Sequence, residues 1–203
     1  MILPIDPSLW FLFFVAFAST GIVPGPNVAY SVAQSLHFGF RRAIPVALGF
    51  ALGTGGHAIL VFTGVGLLAQ GFEEILVAIK WLGIGFLIYL AAKAFMATGE
   101  QKLVDAEAVT ARQLVLGAIL VSFTNPKGLI ASILIYPVFV REDLPFVPQA
   151  VILGLTGMVC SLVIYAGYIF IAAQARFLFK RQVTISRLAG VIYLAVAAAL
   201  ALS

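Results

Sequence analysis

Two short segments of this sequence place proline and asparagine inside long apolar runs. They consist of Pro24, Gly25, Pro26 and Asn27 in the run 9–30, and of Asn125, Pro126 and Lys127 in the run 114–140. Proline in a helix interior removes a backbone N–H donor and clashes with the preceding turn, so each segment predicts a broken helix. In lipid, the backbone groups that such a break frees are tolerated only against protein or a water-filled cavity.

The chemistry that two broken helices offer is the binding of charge by backbone groups. The N–H groups that begin the second half of a broken helix attract anions, and the C=O groups that end the first half attract cations. Two facing breaks can therefore hold a zwitterionic amino acid without a buried charged side chain for each pole. We expect the seven residues above to bind such a substrate, with no covalent step. The alternative is that the prolines only kink two helices for packing.

Lys127 is the only charged side chain deep within a predicted membrane span. A lysine at the centre of a spanning helix costs about 2.5–3.5 kcal/mol on insertion scales, and such residues usually mark functional sites. Beside Pro126 it is placed to meet a substrate carboxylate. The alternative is that it extends toward the membrane surface or bonds to carbonyl groups that the break has freed.

His57 is the candidate for proton coupling, because its reference pKa of about 6.5 allows it to exchange a proton during a transport cycle. The alternative, equally favoured by the sequence, is a neutral histidine bonded to a neighbouring group. Asn27 and Asn125 are expected to donate to the substrate or to cap the half-helices. Weaker candidates, for which packing is the favoured role, are Tyr30, Gln34 and Tyr165.

The composition defines the environment of these residues. The chain has 203 residues, of which 63% are hydrophobic and only 10% charged, and its mean hydropathy is +1.13. Soluble domains are about half apolar and a quarter charged, so we expect an all-α, polytopic membrane protein. The sequence contains no Walker motif, no dinucleotide fingerprint and no HExxH motif, so we expect no enzymatic activity, cofactor or metal.

Six apolar segments are predicted to span the membrane, and they form a single transmembrane domain over residues 1–203. They cover about residues 8–40, 43–69, 75–96, 113–136, 147–173 and 185–202. Residues 97–112 are the longest polar segment and divide the chain nearly in half. A signal-peptidase site near residues 16–18 is disfavoured, since no Lys or Arg precedes it.

The distribution of basic residues predicts the orientation. The loops after the first, third and fifth predicted spans hold Arg41, Arg42, Lys93, Lys102, Arg112, Arg176, Lys180, Arg181 and Arg187, and the opposite side holds Lys80 and Arg141. Nine against two places those loops in the cytoplasm and both termini outside. This distribution also explains the basic pI better than nucleic-acid binding does. The two halves, residues 8–96 and 112–202, then form an inverted three-plus-three repeat with the first and fourth helices broken.

Small residues and the single cysteine limit other functions. Gly49, Gly53 and Gly56 recur about one turn apart, which predicts close helix packing within the chain or in a homo-oligomer. Cys160 is the only cysteine, so a thiol-transfer protein, which needs a cysteine pair, is disfavoured.

Several of these motifs occur together in one family. The matching segments are Pro24-Gly25-Pro26-Asn27, Gly39-Phe40-Arg41-Arg42-Ala43, Ala47-Leu48-Gly49, His57, Phe123-Thr124-Asn125-Pro126-Lys127 and Arg187-Leu188-Ala189-Gly190. In this order and over nearly the whole chain, they resemble the lysine exporter (LysE/RhtB) family, which includes homoserine and threonine efflux proteins.

The resemblance implies a six-helix carrier of the bacterial inner membrane that exports amino acids or their derivatives, coupled to the proton-motive force. It also implies that the seven break residues and His57 form the core of the site. Two positions depart from the family pattern: Thr54-Gly55-Gly56 stands where members often have an acidic or amide residue, and Ser161 stands where they often have an aromatic one. Both departures weaken the case for a strongly cationic substrate such as lysine. A membrane scaffold or assembly protein, in which the breaks are dispensable, is the competing interpretation.

Overall fold

The computed structural model describes residues 5–64, 73–96, 109–175 and 182–202, and all regular secondary structure in these ranges is helical. This confirms the all-α prediction for the described part of the chain. The predicted loop at 71–74 lies partly outside these ranges. The basic residues Lys102, Arg176, Lys180 and Arg181 lie wholly outside them.

The first broken pair consists of α1 (Pro7–Ile22) and α2 (Pro26–Phe38), which meet at 61°. The Asp6 carboxylate accepts hydrogen bonds from two N–H groups of the first turn of α1, which fixes the start of that helix. α2 begins at Pro26, whose fixed φ suits the first helical position and whose missing N–H has no intrahelical partner to lose. The break therefore falls where the sequence predicts it.

α2 ends one residue before Gly39, whose φ of 76° is a conformation that few other residues adopt readily. The first predicted span runs to about residue 40, so α2 ends two residues before that bound and does not include Arg41 and Arg42. They lie in a short helix, α3 (Phe40–Ala43), that leads into α4 (Pro45–Phe62). Gly39 therefore ends α2 before Arg41 and Arg42.

The second broken pair consists of α6 (Ala111–Phe123) and α7 (Pro126–Ile135), the latter extended by a 3-10 turn at Tyr136–Phe139. The two parts meet at 65°. Thr110 and Gln113 form a reciprocal capping box at the start of α6. α7, like α2, has proline at its first position.

Three long helices complete the described structure: α5 (Glu73–Met96), α8 (Phe146–Ala175) and α9 (Gln182–Leu202). Within the described residues, Phe40–Phe62 and Phe146–Ala175 are long and apolar enough to cross a membrane, and each broken pair adds one further candidate span. The chain is thus a membrane protein with up to four candidate spans in its described part.

The two broken pairs run in opposite directions along each other. Arg141, which follows the second pair, forms an ion pair of 3.0 Å with Asp6 at the start of the first. Further along, Asn27 of α2 bonds to Asn125 at the start of α7. Since the first contact joins the start of one pair to the end of the other, the pairs are antiparallel and their breaks lie side by side.

The glycines of α4 hold that helix against α6 of the same chain. A Cβ at Gly49 would lie 2.5 Å from the Val115 carbonyl oxygen, and one at Gly53 would lie 2.5 Å from the Ser122 hydroxyl. Gly56 likewise faces the Phe123 ring. The predicted glycine stripe therefore packs within the protein, and it lends no support to an interface between protomers.

Candidate functional site

A cavity of about 50 Å³ lies where the two breaks meet. By volume it has room for about four water molecules. Of the predicted site residues, those that line it are Gly25, Asn27, His57, Asn125 and Lys127. Pro26 and Pro126 are buried at the helix starts behind this wall, and Pro24 is exposed on the outer side of the first break. The structure thus brings the predicted residues of both halves to one place.

A chain of hydrogen bonds joins the two breaks through their asparagines. The Asn125 amide nitrogen donates to Asn27 Oδ1 at 2.9 Å, and the Asn27 amide nitrogen donates to the Tyr165 hydroxyl at 3.1 Å. Neither asparagine caps its half-helix, although Asn125 occupies the N-cap position of α7. Asn125 Oδ1 is buried and has no partner among the described residues, so it is an acceptor that remains available in the cavity wall.

Lys127 crosses from the second break to the first. Its ammonium group donates to the Val23 carbonyl oxygen at 2.9 Å. The Tyr168 hydroxyl donates to the neighbouring carbonyl of Ile22 at 2.6 Å. Side chains of the protein therefore bond to the Ile22 and Val23 carbonyls at the end of α1. For Lys127, this bond to a freed carbonyl is the alternative that the sequence left open.

At the end of α6, the Leu120 and Ser122 carbonyls accept hydrogen bonds from residues that are close in sequence. Thr124 bonds to the Leu120 carbonyl through both its N–H and its hydroxyl, at 3.0 and 2.8 Å. The Asn125 N–H bonds to the Ser122 carbonyl at 3.3 Å. At the first break a carbonyl at the end of α1 already accepts from a cationic group, the Lys127 ammonium, as the C=O end of a helix favours.

The N–H ends of the two breaks do face the cavity. In each second half-helix the first intrahelical bond is made by the fourth residue: Ala29 to Gly25 at 2.9 Å, and Leu129 to Asn125 at 3.2 Å. The N–H groups of residues 27, 28, 127 and 128 precede these bonds and have no intrahelical acceptor. All four residues line the cavity, so two helix N-termini present partial positive charge to one small space.

His57 is buried in α4 and lines the same cavity. Its Nδ1 lies 3.5 Å from the Ser132 hydroxyl, which itself donates to the Gly128 carbonyl. The edge of the ring packs against Phe123, with centroids 5.0 Å apart. Nε2 has no hydrogen-bond partner of ordinary geometry among the described residues, although the Ser122 backbone is close. Its place in the site is established by this geometry, and its proton coupling stays a prediction.

The three weaker candidates for substrate binding lie in different places in the structure. Tyr165 belongs to the site through its bond to Asn27, whereas Tyr30 packs edge-on against Phe50 in the apolar core. Gln34 bonds to Tyr193 on α9, away from the cavity. Hydroxyl residues of the cavity lining that the sequence did not single out for binding are Thr20, Thr54, Ser122, Ser132 and Ser161, and Tyr168 bonds to the Ile22 carbonyl at the first break. They are hydroxyl residues on apolar helices, and spacing alone does not show which of them face inward.

The apolar helices and the cavity at their paired breaks define a membrane protein with an internal polar site. The model of the LysE type translocator family matches residues 18–203. The chain belongs to this family, which confirms the resemblance found in its motifs. Because a translocator moves its solute without converting it, the protein is a transporter and not an enzyme.

Individual relatives carry names of their own. The homoserine/homoserine lactone efflux protein of Salmonella typhimurium is 30% identical over 169 residues, which cover 81% of both chains. The leucine efflux protein of Salmonella choleraesuis is 28% identical over 129 residues, which cover 61% of this chain and 59% of the relative. An uncharacterised membrane protein of Vibrio cholerae is 26% identical over 83% of both chains. No solved structure gives a significant match.

Proposed function

We propose that this protein exports amino acids or amino-acid derivatives across the bacterial inner membrane as a secondary carrier driven by the proton-motive force. The observation that carries the proposal is the convergence of two half-helix N-termini, the asparagine pair and Lys127 on one cavity. The relatives named for homoserine and leucine efflux support the class of substrate.

The proposed topology has six spans in two inverted repeats, residues 8–96 and 112–202, with both termini outside. It is supported by the antiparallel course of the two broken pairs and by the excess of basic residues in alternate loops. In this arrangement the substrate site lies between the repeats. Movement of one repeat against the other then opens the site to each side of the membrane in turn.

The substrate carboxylate binds at the N–H ends of α2 and α7, where helix dipoles and Lys127 favour negative charge. The Lys127 ammonium has three N–H donors and gives one to the Val23 carbonyl, so a carboxylate in the cavity competes with that carbonyl for the ammonium and weakens a link between the two breaks. A ligand shifts a conformational equilibrium only through different contacts in the two states. Exchange of Lys127 between Val23 and the substrate supplies such a difference.

The substrate ammonium group binds at Asn125 Oδ1, since the Val23 and Ile22 carbonyls at the end of α1 already accept from Lys127 and Tyr168. A buried acceptor without a partner costs about 1–3 kcal/mol, which a bound ammonium group would remove. His57 lines the same cavity, so a proton that it binds or releases acts on the electrostatics of the loaded site. We therefore assign to His57 the coupling of proton movement to substrate export.

The decisive experiment compares the growth medium of cells that express the protein with that of cells lacking it, by metabolite profiling. We expect one or a few amino-acid-like solutes to accumulate outside the expressing cells, and tolerance to toxic analogues of those solutes to rise. Collapse of the proton gradient should abolish the difference. Identical media and unchanged tolerance across a broad panel of amino acids and dipeptides would favour the scaffold interpretation.

A further inference from the structure

A pair of buried hydroxyl groups lies in the cavity wall apart from the charged end of the site. Thr54 Oγ1 on α4 and Ser161 Oγ on α8 are 2.6 Å apart, and both residues line the cavity. They are only 7% and 6% exposed. Nothing in the proposed transport mechanism above uses either group.

These two hydroxyls keep unused hydrogen-bonding capacity. Serine and threonine within a helix commonly bond back to the carbonyl four residues earlier, as Thr156 and Ser132 do here. Thr54 and Ser161 bond only to each other among the described residues. A hydroxyl has one proton and two lone pairs, so after their mutual bond the pair retains one donor and about three acceptor sites.

The position of the pair fits the side chain of a bound amino acid. Thr54 lies three residues before His57 on α4, and Ser161 lies four residues before Tyr165 on α8. Both are thus about one helical turn, or roughly 5 Å, from the cavity residue His57 or from Tyr165, which bonds to Asn27 of the asparagine pair. The Thr54 methyl group lies against Gly157, 3.3 Å from where a Cβ would stand, so little space is left for the threonine to turn away.

The charge and polarity of the cavity lining limit which substrate side chains it can accommodate. The cavity lining contains no Asp or Glu among the described residues, and its only Lys or Arg is Lys127. Phe17 and Ile164 supply apolar surface in the same cavity lining. A cationic side chain would find no counter-charge there, and a purely apolar one would leave the remaining donor unsatisfied.

We propose that Thr54 and Ser161 recognise the substrate side chain and favour an amino acid that carries a hydroxyl or carbonyl oxygen over its apolar isostere. This inference rests on the proposed function and names the substrate class of the same site. The competing explanation is that the pair only joins α4 to α8.

The test measures uptake into inside-out membrane vesicles, in which export appears as accumulation. Two isosteric pairs serve as probes: threonine with valine, and homoserine with norvaline. A neutral hydrogen bond contributes about 1 kcal/mol, so wild-type vesicles should favour each hydroxyl substrate about 5- to 10-fold. Thr54→Val and Ser161→Ala should lower that ratio to about 1–2, chiefly by slowing the hydroxyl substrate.

Thr156→Val is the matched control, since it removes a hydroxyl bond between α8 and Trp10 of α1 outside the cavity. It should leave the ratio unchanged at equal protein level. A wild-type ratio near 1, or a ratio that neither cavity variant changes, would overturn the side-chain inference while amino-acid uptake itself remained. Absence of uptake of any amino acid above empty vesicles would instead overturn the proposed function, and with it this inference.

Discussion

The two breaks of this protein have nearly the same angle and are stabilised in different ways. The first pair bends by 61° across residues 23–25, and the second bends by 65° across residues 124–125. Both second half-helices begin with proline. The two breaks differ in which groups bond to the carbonyls at the end of the first half-helix.

At the first break, those carbonyls depend on side chains that are distant in sequence. Tyr168 bonds to Ile22 from 146 residues away, and Lys127 bonds to Val23 from 104 residues away. At the second break, Thr124 satisfies the Leu120 carbonyl through its own N–H and hydroxyl. Before the second break, the Leu120 and Ser122 carbonyls therefore have partners only two to four residues away, whereas the Ile22 and Val23 carbonyls at the first break depend on helix packing for theirs.

This difference shows which break is suited to move. A change in packing of α7 or α8 alters the carbonyl partners of the first break and leaves those of the second intact. Lys127 makes the dependence direct, because it belongs to the second break and bonds to the first. The following substitutions test this asymmetry.

Lys127→Met should have the largest effect and reduce efflux at least about 100-fold, because hydrogen bonds to charged groups contribute about 1.5–3 kcal/mol each and the bonds to Val23 and to the substrate carboxylate are both lost. Lys127→Arg, which keeps the charge, should be partly active. Initial efflux rates at matched membrane expression measure both. Full activity of the Met variant would exclude a carboxylate role for Lys127.

Pro26→Ala and Pro126→Ala should each reduce efflux about 10-fold while membrane insertion stays normal. The new N–H at residue 26 is placed to bond to the Ile22 carbonyl and to restore a continuous helix, in competition with Tyr168. At residue 126 the corresponding competition is for the Ser122 carbonyl. Pro45→Ala, at the start of α4 and outside both breaks, is the control and should transport normally. Equal activity of all three variants would contradict a role for the breaks.

Tyr168→Phe should reduce efflux about 5-fold, because it leaves the Ile22 carbonyl without its donor, at a cost of about 1 kcal/mol. Thr124→Val, the equivalent change at the second break, should alter efflux less than about 2-fold, since the backbone bond to Leu120 remains. The two rates, measured side by side, compare the breaks directly. If the threonine variant proved the more damaging, the asymmetry argued above would be reversed.

Asp6→Asn should have the smallest effect, on stability rather than transport. Hydrogen bonds from the Leu9 and Ser8 N–H groups, together with the Arg141 guanidinium, lower the pKa of the Asp6 carboxyl below its usual 3.8. A lowered pKa means that the ionised carboxylate stabilises the folded protein above pH 3.8 and that this contribution is lost as pH falls through the lowered value.

The melting temperature of Asp6→Asn in detergent should therefore be lower than that of the wild type by no more than about 3 °C at pH 7, and the difference should shrink below pH 4. Glu142→Gln is a matched acid-to-amide change in the adjoining loop. Two results would contradict the proposed role of the Asp6 bonds in joining the ends of the two broken pairs. The first is a melting-temperature difference between Asp6→Asn and the wild type that grows as the pH falls. The second is an equal decrease in the melting temperature of Glu142→Gln.

Part of this architecture follows from the sequence because its causes are local. Proline has no N–H wherever it stands, so Pro26 and Pro126 determine where helices restart. Composition requires a membrane environment, and the small residues of α4 allow close packing whatever their partner is. The apolar pattern carries the first predicted span to about residue 40, whereas Gly39, with its positive φ, ends α2 at Phe38.

The partners of the site residues were decided only by the tertiary structure. The sequence placed Asn27, Asn125 and Lys127 at the breaks, but not the bond between the asparagines across 98 residues or the bond from Lys127 to Val23. Thr54 and Ser161, 107 residues apart, were visible only as two hydroxyls on apolar helices. Local chemistry determines where a helix begins and ends, whereas the face that a side chain presents to the cavity depends on how the helices pack.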